Sequence, residues 1–208
     1  MRSPTVLLFL KAPRPGFVKT RLAKELGDQI ACKAYKQMAK ATLATIPTNW
    51  KKIIFFAPAD AHQEMQQWLG HDVELRPQSE GDLGDRLTTA CSAAFAEGAD
   101  SVLLLGGDCP YIELKHLEEA ADQLTQGRPV IGPAIDGGYW SLGLARETPS
   151  VFENITWSSD KVFHETLQRF IILGQHPHQL ESLEDVDQAD AWSKALTNIP
   201  TLSKFPQL

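Results

Sequence analysis

A carboxylate at the end of a buried strand is the residue in this sequence best placed for chemistry. Residues 102–105 form an unbroken apolar run, which is typical of a strand covered on both faces of a parallel sheet. Gly106 and Gly107 then allow a sharp turn that brings Asp108 just past the carboxyl end of the strand, and Gly107 is also a candidate ligand contact. Ligands bind in the crevice at that end of open α/β sheets, where a carboxylate can hold Mg²⁺ on substrate phosphates. The alternative is that Asp108 caps the next helix, which is predicted to begin near Glu113, or only shapes the turn.

The loop after the first predicted strand concentrates positive charge. Its four cations are Lys11, Arg14, Lys19 and Arg21. Gly16 permits a close backbone approach, and the helix that follows offers free N–H groups and the positive end of its dipole. These features predict a site for a diphosphate or triphosphate, with Lys11, Pro13 and Gly16 as candidate ligand contacts, although the spacing matches neither the P-loop nor the dinucleotide-binding glycine motif. A solvated surface loop stiffened by Pro13 and Pro15 is the alternative.

A second loop is rich in glycine and acid immediately before a predicted helix. Its candidate ligand contacts are Gly81, Gly84, Asp85 and Arg86. The glycines would let the backbone hydrogen-bond the edge of a nucleobase, with the two charged side chains near the ligand. Alternatively, Asp82 or Asp85 caps the helix, and we expect this role for one of them.

A third loop places Asp136 beside the paired glycines Gly137 and Gly138 and the aromatic Tyr139. The glycines would let a ligand approach the backbone, and Asp136 would either position or deprotonate an acceptor hydroxyl or assist the metal. A tight Asp–Gly hairpin turn is the alternative.

Asp187 stands at the start of the last predicted helix. Capping of that helix is the default interpretation. If the helix begins near Asp108, Asp187 would complete the ligand set of the metal.

The elements that must position these loops alternate along the chain. The predicted strands are 5–10, 52–57, 73–76, 102–105, 129–132, 139–144 and an edge strand at 179–182. The predicted helices are 20–46, 60–69 with Asp60 as N-cap, a helix ending near residue 96, 112–125, 159–170 and 187–196. This alternation predicts one α/β domain over residues 1–208, a three-layer sandwich around a mostly parallel sheet, with residues 197–208 on the surface. Because the loops follow strands, we expect them to converge on one edge of the sheet.

Composition narrows the class of protein. The 208 residues are 43% hydrophobic and 22% charged, which is typical of a globular domain with a sizeable core. A net charge of −6 disfavours nucleic-acid binding, but it allows a small anionic ligand held by local cations and a metal. The sequence contains no run of transmembrane length and no signal peptide, and its three cysteines lack paired spacing. We therefore expect a cytoplasmic protein without a disulfide framework, a zinc site or a membrane partner.

These loops together resemble the nucleotide-diphospho-sugar transferase superfamily, which has the GT-A-like fold. More narrowly, the sequence resembles the bacterial group DUF2064, described as transferase 1 associated with radical-SAM and selenodomain proteins or as an arsenosugar-type glycosyltransferase. That group is similar to guanylyltransferases acting on 2-phospho-lactate. The matching residues are Lys11-Ala-Pro-x-Pro-Gly16-x-Val-Lys19-Thr-Arg21-Leu, Gly81-x-x-Gly-Asp85-Arg86, Gly106-Gly-Asp108-Cys-Pro110, Asp136-Gly-Gly-Tyr139, Trp157-Ser158 and Asp185-Val-Asp187.

The resemblance implies that a nucleotide binds over the N-terminal half of the sheet. Asp108 matches the metal-binding aspartate of a DxD-type motif, and Lys19 and Arg21 match cations that neutralise phosphates. Asp187 falls where relatives place a second metal carboxylate, within a Val-Asp-Thr-Pro-Glu-Asp-like segment that here reads Val-Asp-Gln-Ala-Asp. The first loop also departs from the pattern, because it lacks the Gly-Gly-x-Gly run of nucleotidyltransferases.

The expected function is therefore a transferase that depends on Mg²⁺ or Mn²⁺ and binds a nucleotide diphospho substrate. Transfer of a glycosyl group from a nucleotide sugar to a small acceptor is the preferred reaction. The alternatives are nucleotidyl transfer, which releases pyrophosphate from a nucleoside triphosphate, and a non-catalytic nucleotide-binding module. The residues do not predict an oligomeric state.

Overall fold

The computed structural model describes residues 3–199 and Leu202. The strands are β1 (Thr5–Lys11), β2 (Lys52–Ala57), β3 (Glu74–Pro77), β4 (Val102–Gly106), β5 (Val130–Pro133), β6 (Tyr139–Leu144) and β7 (His178–Gln179). The helices are α1 (Thr20–Leu26), α2 (Asp28–Thr45), α3 (His62–Leu69), α4 (Leu83–Ala96), α5 (Leu114–Thr125), α6 (Val162–Ile172) and α7 (Ala189–Asn198). Short 3-10 turns occupy Ala59–Ala61 and Pro149–Phe152.

The strands form one sheet in the order β3-β2-β1-β4-β6-β5-β7. β1 pairs in parallel with β2 and β4, so that Leu8 lies opposite Ile54 on one side and Leu105 on the other. β6 is antiparallel to both β4 and β5, while β3 and β7 are parallel to their neighbours. The mostly parallel sheet is confirmed, and the carboxyl ends of all strands except β6 lie at one edge.

Alternate residues of the central strands face two layers of helices. Leu8 belongs to a buried cluster with side chains of α2, α3 and α5, whereas Leu7 belongs to a cluster with side chains of α4 and α6. The predicted three-layer α/β sandwich is thereby confirmed. A third cluster, which includes Leu22, Met38 and Trp192, joins α1, α2 and α7 beside the sheet.

The single helix predicted over residues 20–46 is instead two helices separated by Gly27. The φ and ψ angles of Gly27 are 84° and 154°, outside the helical region and accessible mainly to glycine. The Gly27 N–H still bonds the Ala23 carbonyl at 2.9 Å, so α1 ends there and α2 begins in a new direction. The apolar periodicity continues across this break, which is why the sequence pattern concealed it.

Two further expectations about the elements were wrong. Asp60 does not cap α3, which begins at His62 without a side-chain cap, because the Asp60 carboxylate is 3.4 Å from the Arg14 guanidinium. In the predicted surface tail, Leu202 is fully buried in the cluster around α7. The remaining tail residues 200, 201 and 203–208 lie outside the described residues. Within the described part of the chain, no helix is both long and apolar enough to cross a membrane.

Both outer strands of the sheet are short. β7 has two residues, and β3 has four and ends in Pro77. On β3, Arg76 forms ion pairs with Glu74 and with Glu97 at the end of α4, and Lys51 lies 3.3 Å from Glu97. A network of charges therefore covers this margin of the sheet.

Candidate functional site

Lys19 lies between two carboxylates at the carboxyl edge of the sheet. Its Nζ is 2.7 Å from Oδ1 of Asp187 and 3.1 Å from Oδ1 of Asp108. The Lys19 side chain is 3% exposed, whereas those of Asp108 and Asp187 are 54% and 38% exposed. Arg21 approaches Oδ2 of Asp187 at 3.4 Å from the solvent side. The fold thus brings together four residues that the sequence singled out for metal and phosphate binding.

The backbone of Lys19 adopts a strained conformation. Its φ and ψ angles of 49° and 47° lie in the left-handed region, which costs a non-glycine residue about 1–2 kcal/mol. Val18 and Leu22 on either side are buried and fix the chain as α1 begins. Packing and ion pairing together therefore hold the ammonium in place, as is common for strained residues at functional sites.

The segment that carries Asp187 is tied directly to the loop that carries Asp108. The Val186 N–H donates to the Asp108 carbonyl at 3.2 Å. The Cys109 thiol donates to the Glu184 carbonyl at 3.6 Å, and burial raises the pKa of that thiol, which keeps it protonated. These two contacts keep the two carboxylates side by side, although they come from distant parts of the sequence.

The charges at this edge are strongly coupled. Burial disfavours the ammonium of Lys19, but the Asp108 and Asp187 carboxylates outweigh burial and hold its pKa above the ordinary value. Burial, followed by the charges of Asp136 and Asp108, raises the pKa of Asp185 to about 7. The site is therefore an acidic group of four aspartates organised around Lys19.

A cleft of about 420 Å³ lies over the carboxyl ends of β1, β2 and β3, and we call it the β1–β3 cleft. Its lining includes Lys11, Phe17, Gln78, Ser79 and Arg86. The Phe17 ring is on the same loop as the buried ammonium, and the residue is 71% exposed. The Ser79 hydroxyl is buried and has no hydrogen-bond partner among the described residues. The cleft thus offers an aromatic face for stacking, and its wall contains a buried hydroxyl without a partner among the described residues.

Two polar side chains of the β1–β3 cleft are already engaged by the protein. Arg14 Nε lies 2.9 Å from Glu64 Oε2 in α3. Gln78 Nε2 donates to the carbonyls of Leu10 at 3.2 Å and Phe55 at 3.1 Å. Arg14, one of the four cations of the first loop, therefore forms part of the cleft wall and is neutralised there.

Side chains of α2 hold the start of the first loop. The Tyr35 hydroxyl accepts from the Lys11 N–H at 2.7 Å and donates to the Lys11 carbonyl at 3.0 Å. Burial raises the pKa of Tyr35, so the hydroxyl stays neutral and retains the proton that it donates. The Cys32 thiol donates to the Pro13 carbonyl at 2.9 Å. The predicted ligand contacts Lys11 and Pro13 are thus placed by a helix that the sequence did not link to them.

The second loop forms a complete capping box at the start of α4. Asp82 Oδ1 accepts from the Asp85 N–H at 2.9 Å, and Asp85 Oδ2 accepts from the Asp82 N–H at 3.1 Å. The capping alternative is confirmed, and both acids share it. Arg86 Nε donates to the Gly81 carbonyl at 3.1 Å, which orients the guanidinium along the wall of the β1–β3 cleft.

Glycines singled out as ligand contacts also make room for protein atoms. A Cβ on Gly84 would lie 2.8 Å from Nε1 of Trp157, beside a second cleft of about 450 Å³. A Cβ on Gly107 would lie 2.5 Å from Cδ2 of Leu10. Gly16 has a φ of +81° in the first loop, which favours glycine there. Close packing within the protein therefore explains why positions 84 and 107 are occupied by glycine.

The third loop is the hairpin that joins antiparallel β5 and β6, which confirms the hairpin alternative. The Gly138 N–H donates to Asp136 Oδ1 at 2.9 Å. Gly137 has a φ of +92°, and its carbonyl accepts from the Phe163 N–H at 2.9 Å. A Cβ on Gly137 would overlap the carbonyl oxygen of Asp160. The loop is thus fastened to the segment before α6, and the exposed Asp136 lies within electrostatic range of Asp185.

The capping alternatives for Asp108 and Asp187 were wrong. At the start of α5, Nδ1 of His116 accepts from the Glu113 N–H at 2.9 Å. α7 begins after Gln188 without a side-chain cap, and Asp187 instead binds Lys19. Both carboxylates therefore face the shared site.

Tyr139 lies away from this group. Its ring packs with the cluster between the sheet and α4, and burial raises the pKa of its hydroxyl. Sequence reasoning had missed Asp185, Tyr35 and Ser79 as contributors to the site. The acidic segment around Asp185 could have indicated its contribution to the site. Tyr35, in contrast, follows the sequence pattern of an ordinary core residue.

The residues present fit a divalent cation that arrives with phosphates. Among residues 3–199 and Leu202, no group of three or more His, Cys, Asp or Glu side chains is arranged to hold a metal. However, one oxygen each of Asp108 and Asp187 lies within 3.1 Å of the single Lys19 ammonium, so both can converge on one cation. Mg²⁺ commonly takes one or two carboxylates and completes its shell with water and substrate phosphates.

A family model described as "Uncharacterized protein conserved in bacteria (DUF2064)" matches residues 41–159. A protein of Desulfovibrio desulfuricans G20, provisionally named a nucleotide-diphospho-sugar transferase, has a similar crystal structure with a TM-score of 0.85 and 27% identity. The match covers 98% of each chain.

Two more distant structures share the fold. The inositol-1-phosphate CTP transferase of T. maritima has a TM-score of 0.59 and 14% identity, with 100% of both chains covered. A manganese complex of Rv0371C from Mycobacterium tuberculosis H37Rv has a TM-score of 0.56 and 15% identity, with 95% of this chain and 100% of the other covered. The fold is accordingly that of the nucleotide-diphospho-sugar transferases, and the neighbours include nucleotidyltransferases.

Proposed function

This chain belongs to the DUF2064 family, and we propose that it is a metal-dependent transferase acting on a nucleotide diphospho substrate. In the preferred reaction, a glycosyl group moves from a nucleotide sugar to a small-molecule acceptor. The arrangement of Lys19 between Asp108 and Asp187, beside the β1–β3 cleft, carries the proposal. It combines a phosphate-binding cation, two metal-binding carboxylates and a space for a base at one edge of the sheet.

The nucleoside occupies the β1–β3 cleft in this proposal. The exposed Phe17 ring stacks on the base, which lies beside the part of the cleft wall that contains Ser79. Lys11 and Arg86 line the same cleft and would contact the ribose or phosphates. Gly81 would lie near the ligand because Arg86 is tied to its carbonyl.

The diphosphate extends from the cleft to Lys19 and Arg21. Their charges stabilise the negative charge that develops on the leaving group. Asp108 and Asp187 would hold Mg²⁺ or Mn²⁺, which acts as a Lewis acid on the phosphate oxygens when bound. Orientation and electrostatics dominate such a transfer, so no covalent nucleophile is required.

Asp136 serves the acceptor. It is exposed on the hairpin between β5 and β6, and Gly137 and Gly138 fix its position. From there its carboxylate would position or deprotonate the attacking hydroxyl. Tyr139 supports the loop through the core rather than by touching the acceptor.

Nucleotidyl transfer with release of pyrophosphate is the second candidate. Three cations of the first loop, Lys11, Lys19 and Arg21, lie outside the Arg14–Glu64 pair, and a triphosphate would use all of them. The T. maritima neighbour, a CTP transferase, supports this candidate. The third candidate is a module that binds a nucleotide without turning it over, and the turnover measurement described below distinguishes it from the two enzymes.

We further propose that this activity belongs to one functional domain in the cytoplasm and involves neither nucleic acid nor a membrane. The three buried free thiols suit a reducing compartment, and the net charge of −6 opposes polyanion binding.

A thermal-shift panel of nucleoside triphosphates and nucleotide sugars, each with and without Mg²⁺, tests the proposal. A ligand that binds only the folded state raises the Tm by mass action. We expect a Mg²⁺-dependent shift with one nucleotide sugar in the parent and its loss in Asp108→Ala. Asp122→Ala, which changes an exposed aspartate of α5, is the control and should behave like the parent.

Turnover then separates the reactions. Release of a nucleoside diphosphate from the stabilising nucleotide sugar supports glycosyl transfer, whereas pyrophosphate from a triphosphate supports nucleotidyl transfer. Binding without either product favours the non-catalytic module. No shift with any nucleotide would contradict the proposed function.

A further inference from the structure

We propose that Lys19 and a divalent cation occupy the Asp108–Asp187 pair in turn, so that the metal binds together with a phosphate group rather than before it. The proposal rests on the proposed function for the identity of the phosphate donor. It goes further by assigning Lys19 as an internal cation that keeps the free protein from loading metal.

The geometry makes the two occupants competitors. Lys19 Nζ lies within 3.1 Å of an oxygen from each carboxylate. A divalent ion bound to the same two oxygens would lie within a few ångströms of the ammonium. Two cations at that separation repel each other, and because the Lys19 side chain is 3% exposed, water screens its ammonium only from the side of the carboxylates.

The ammonium is the counter-charge of the whole acidic group. Asp185 lies within electrostatic range of both members of the pair and of Lys19, and Asp136 lies within electrostatic range of Asp185. Arg21 contributes only from the exposed side, at 3.4 Å from Asp187. In this proposal, the Lys19 ammonium therefore stays paired with Asp108 and Asp187 until another anion forms an ion pair with it.

A phosphate supplies that anion. Metal alone would add two positive charges beside the ammonium, and phosphate alone would add negative charge beside Asp108 and Asp187. A divalent cation with a doubly charged phosphate adds no net charge to the site. Lys19 can then shift from the carboxylates to the phosphate oxygens while the metal takes its place, so the two ligands bind with positive coupling.

Mn²⁺ titration by calorimetry and by electron paramagnetic resonance tests the proposal without any turnover. The proteins are the parent, Lys19→Gln and the control Lys24→Gln, which removes an exposed lysine of the same helix. We expect Lys19→Gln to bind Mn²⁺ at least tenfold more tightly than the parent, with the control unchanged. The double variant Lys19→Gln/Asp187→Asn should lose this gain, which assigns the metal to the same carboxylates.

A second readout uses the folded state itself. Lys19→Gln leaves the aspartates without their buried counter-charge, so its Tm should fall below that of the parent and rise when Mn²⁺ is added. The parent Tm should not respond to Mn²⁺ alone. A purely structural lysine would lower the Tm when replaced but would not create this response to metal.

The overturning results are equally specific. Mn²⁺ affinity in Lys19→Gln that is equal to or weaker than in the parent contradicts the exchange. If Lys19→Gln does not fold, the test uses the parent alone. Its affinity for Mn²⁺ in the presence of inorganic pyrophosphate should be at least tenfold higher than its affinity for Mn²⁺ alone. Equal affinities reject the proposal. If Lys19→Gln gains metal affinity but no nucleotide raises the Tm of the parent, this inference stands and the proposed function fails. If a nucleotide raises the Tm of the parent but Lys19→Gln gains no metal affinity, the proposed function stands and this inference fails.

Discussion

Replacement of Gly137 by alanine should destabilise the protein through two separable effects. The residue has a φ of +92°, and its added Cβ would overlap the carbonyl oxygen of Asp160. That carbonyl belongs to the backbone just before α6, and the Phe163 N–H in the first turn of α6 donates to the Gly137 carbonyl at 2.9 Å. The neighbouring chain therefore cannot move aside without losing a hydrogen bond.

The expected magnitude is the sum of a conformational and a packing cost. A positive φ costs an alanine about 1–2 kcal/mol relative to the right-handed region. Forcing a methyl group into a filled space typically costs a further amount of about 1–3 kcal/mol. The free energy of unfolding should thus fall by about 2–5 kcal/mol in Gly137→Ala.

Urea unfolding of two variants separates the two costs. Gly98 also has a φ of +92°, but a Cβ there would have no atom within 4 Å. Gly98→Ala should therefore lose only the conformational part, and the difference between the variants measures the overlap at Asp160. If Gly137→Ala is no less stable than Gly98→Ala, the hairpin is not held against the segment before α6 and our account of how Asp136 is positioned is incorrect.

Three further predictions concern the elements around the site. Tyr35→Phe should lower the free energy of unfolding by about 1–3 kcal/mol in urea titration, because it leaves the backbone groups of Lys11 without their buried partner. The hydrogen bond from Arg76 lowers the pKa of Glu97 from its ordinary value of 4.5 to about 2, so this carboxylate stabilises the fold fully above pH 4.5 and loses its effect as the pH falls through 2. The Tm difference between the parent and Glu97→Gln should accordingly shrink as the pH is lowered, and a constant difference would contradict the ion pair. Phe170→Ala should cost about 3–5 kcal/mol in urea titration, because the ring is fully buried between α6 and the sheet.

Apolar runs made the sheet predictable, because buried parallel strands need side chains that tolerate burial on both faces. The strand bounds 52–57 and 139–144 agree with the structure, whereas edge strands such as β7 are displaced because fewer buried residues define them. Gly27 was not predicted as a break, since amphipathic periodicity continues through it. Helix periodicity reports which face is buried and not whether the axis changes direction.

A site residue could be predicted from the sequence where a chemically suitable side chain directly follows the end of a predicted strand. Asp108 follows a buried strand, so its position at the carboxyl edge follows from the sheet alone. The pairing of Asp187 with Lys19 could not be read from the sequence, because it depends on how the segment before α7 folds back to the Asp108 loop. Ser79 was missed for a similar reason: an unpaired buried hydroxyl becomes visible only when the neighbouring atoms are known.

The short outer strands have a consequence for how copies of this chain meet. A second chain can extend a β-sheet by adding a strand, provided that the outer strand offers a flat, unpaired row of backbone groups. Here β7 has two residues, followed by an isolated bridge between Leu183 and Ala134, while β3 ends in Pro77, which cannot donate. Arg76 and its acidic partners would also have to give up their ion pairs for an incoming strand to dock. The short outer strands therefore disfavour edge-to-edge association of copies of this chain through its sheet.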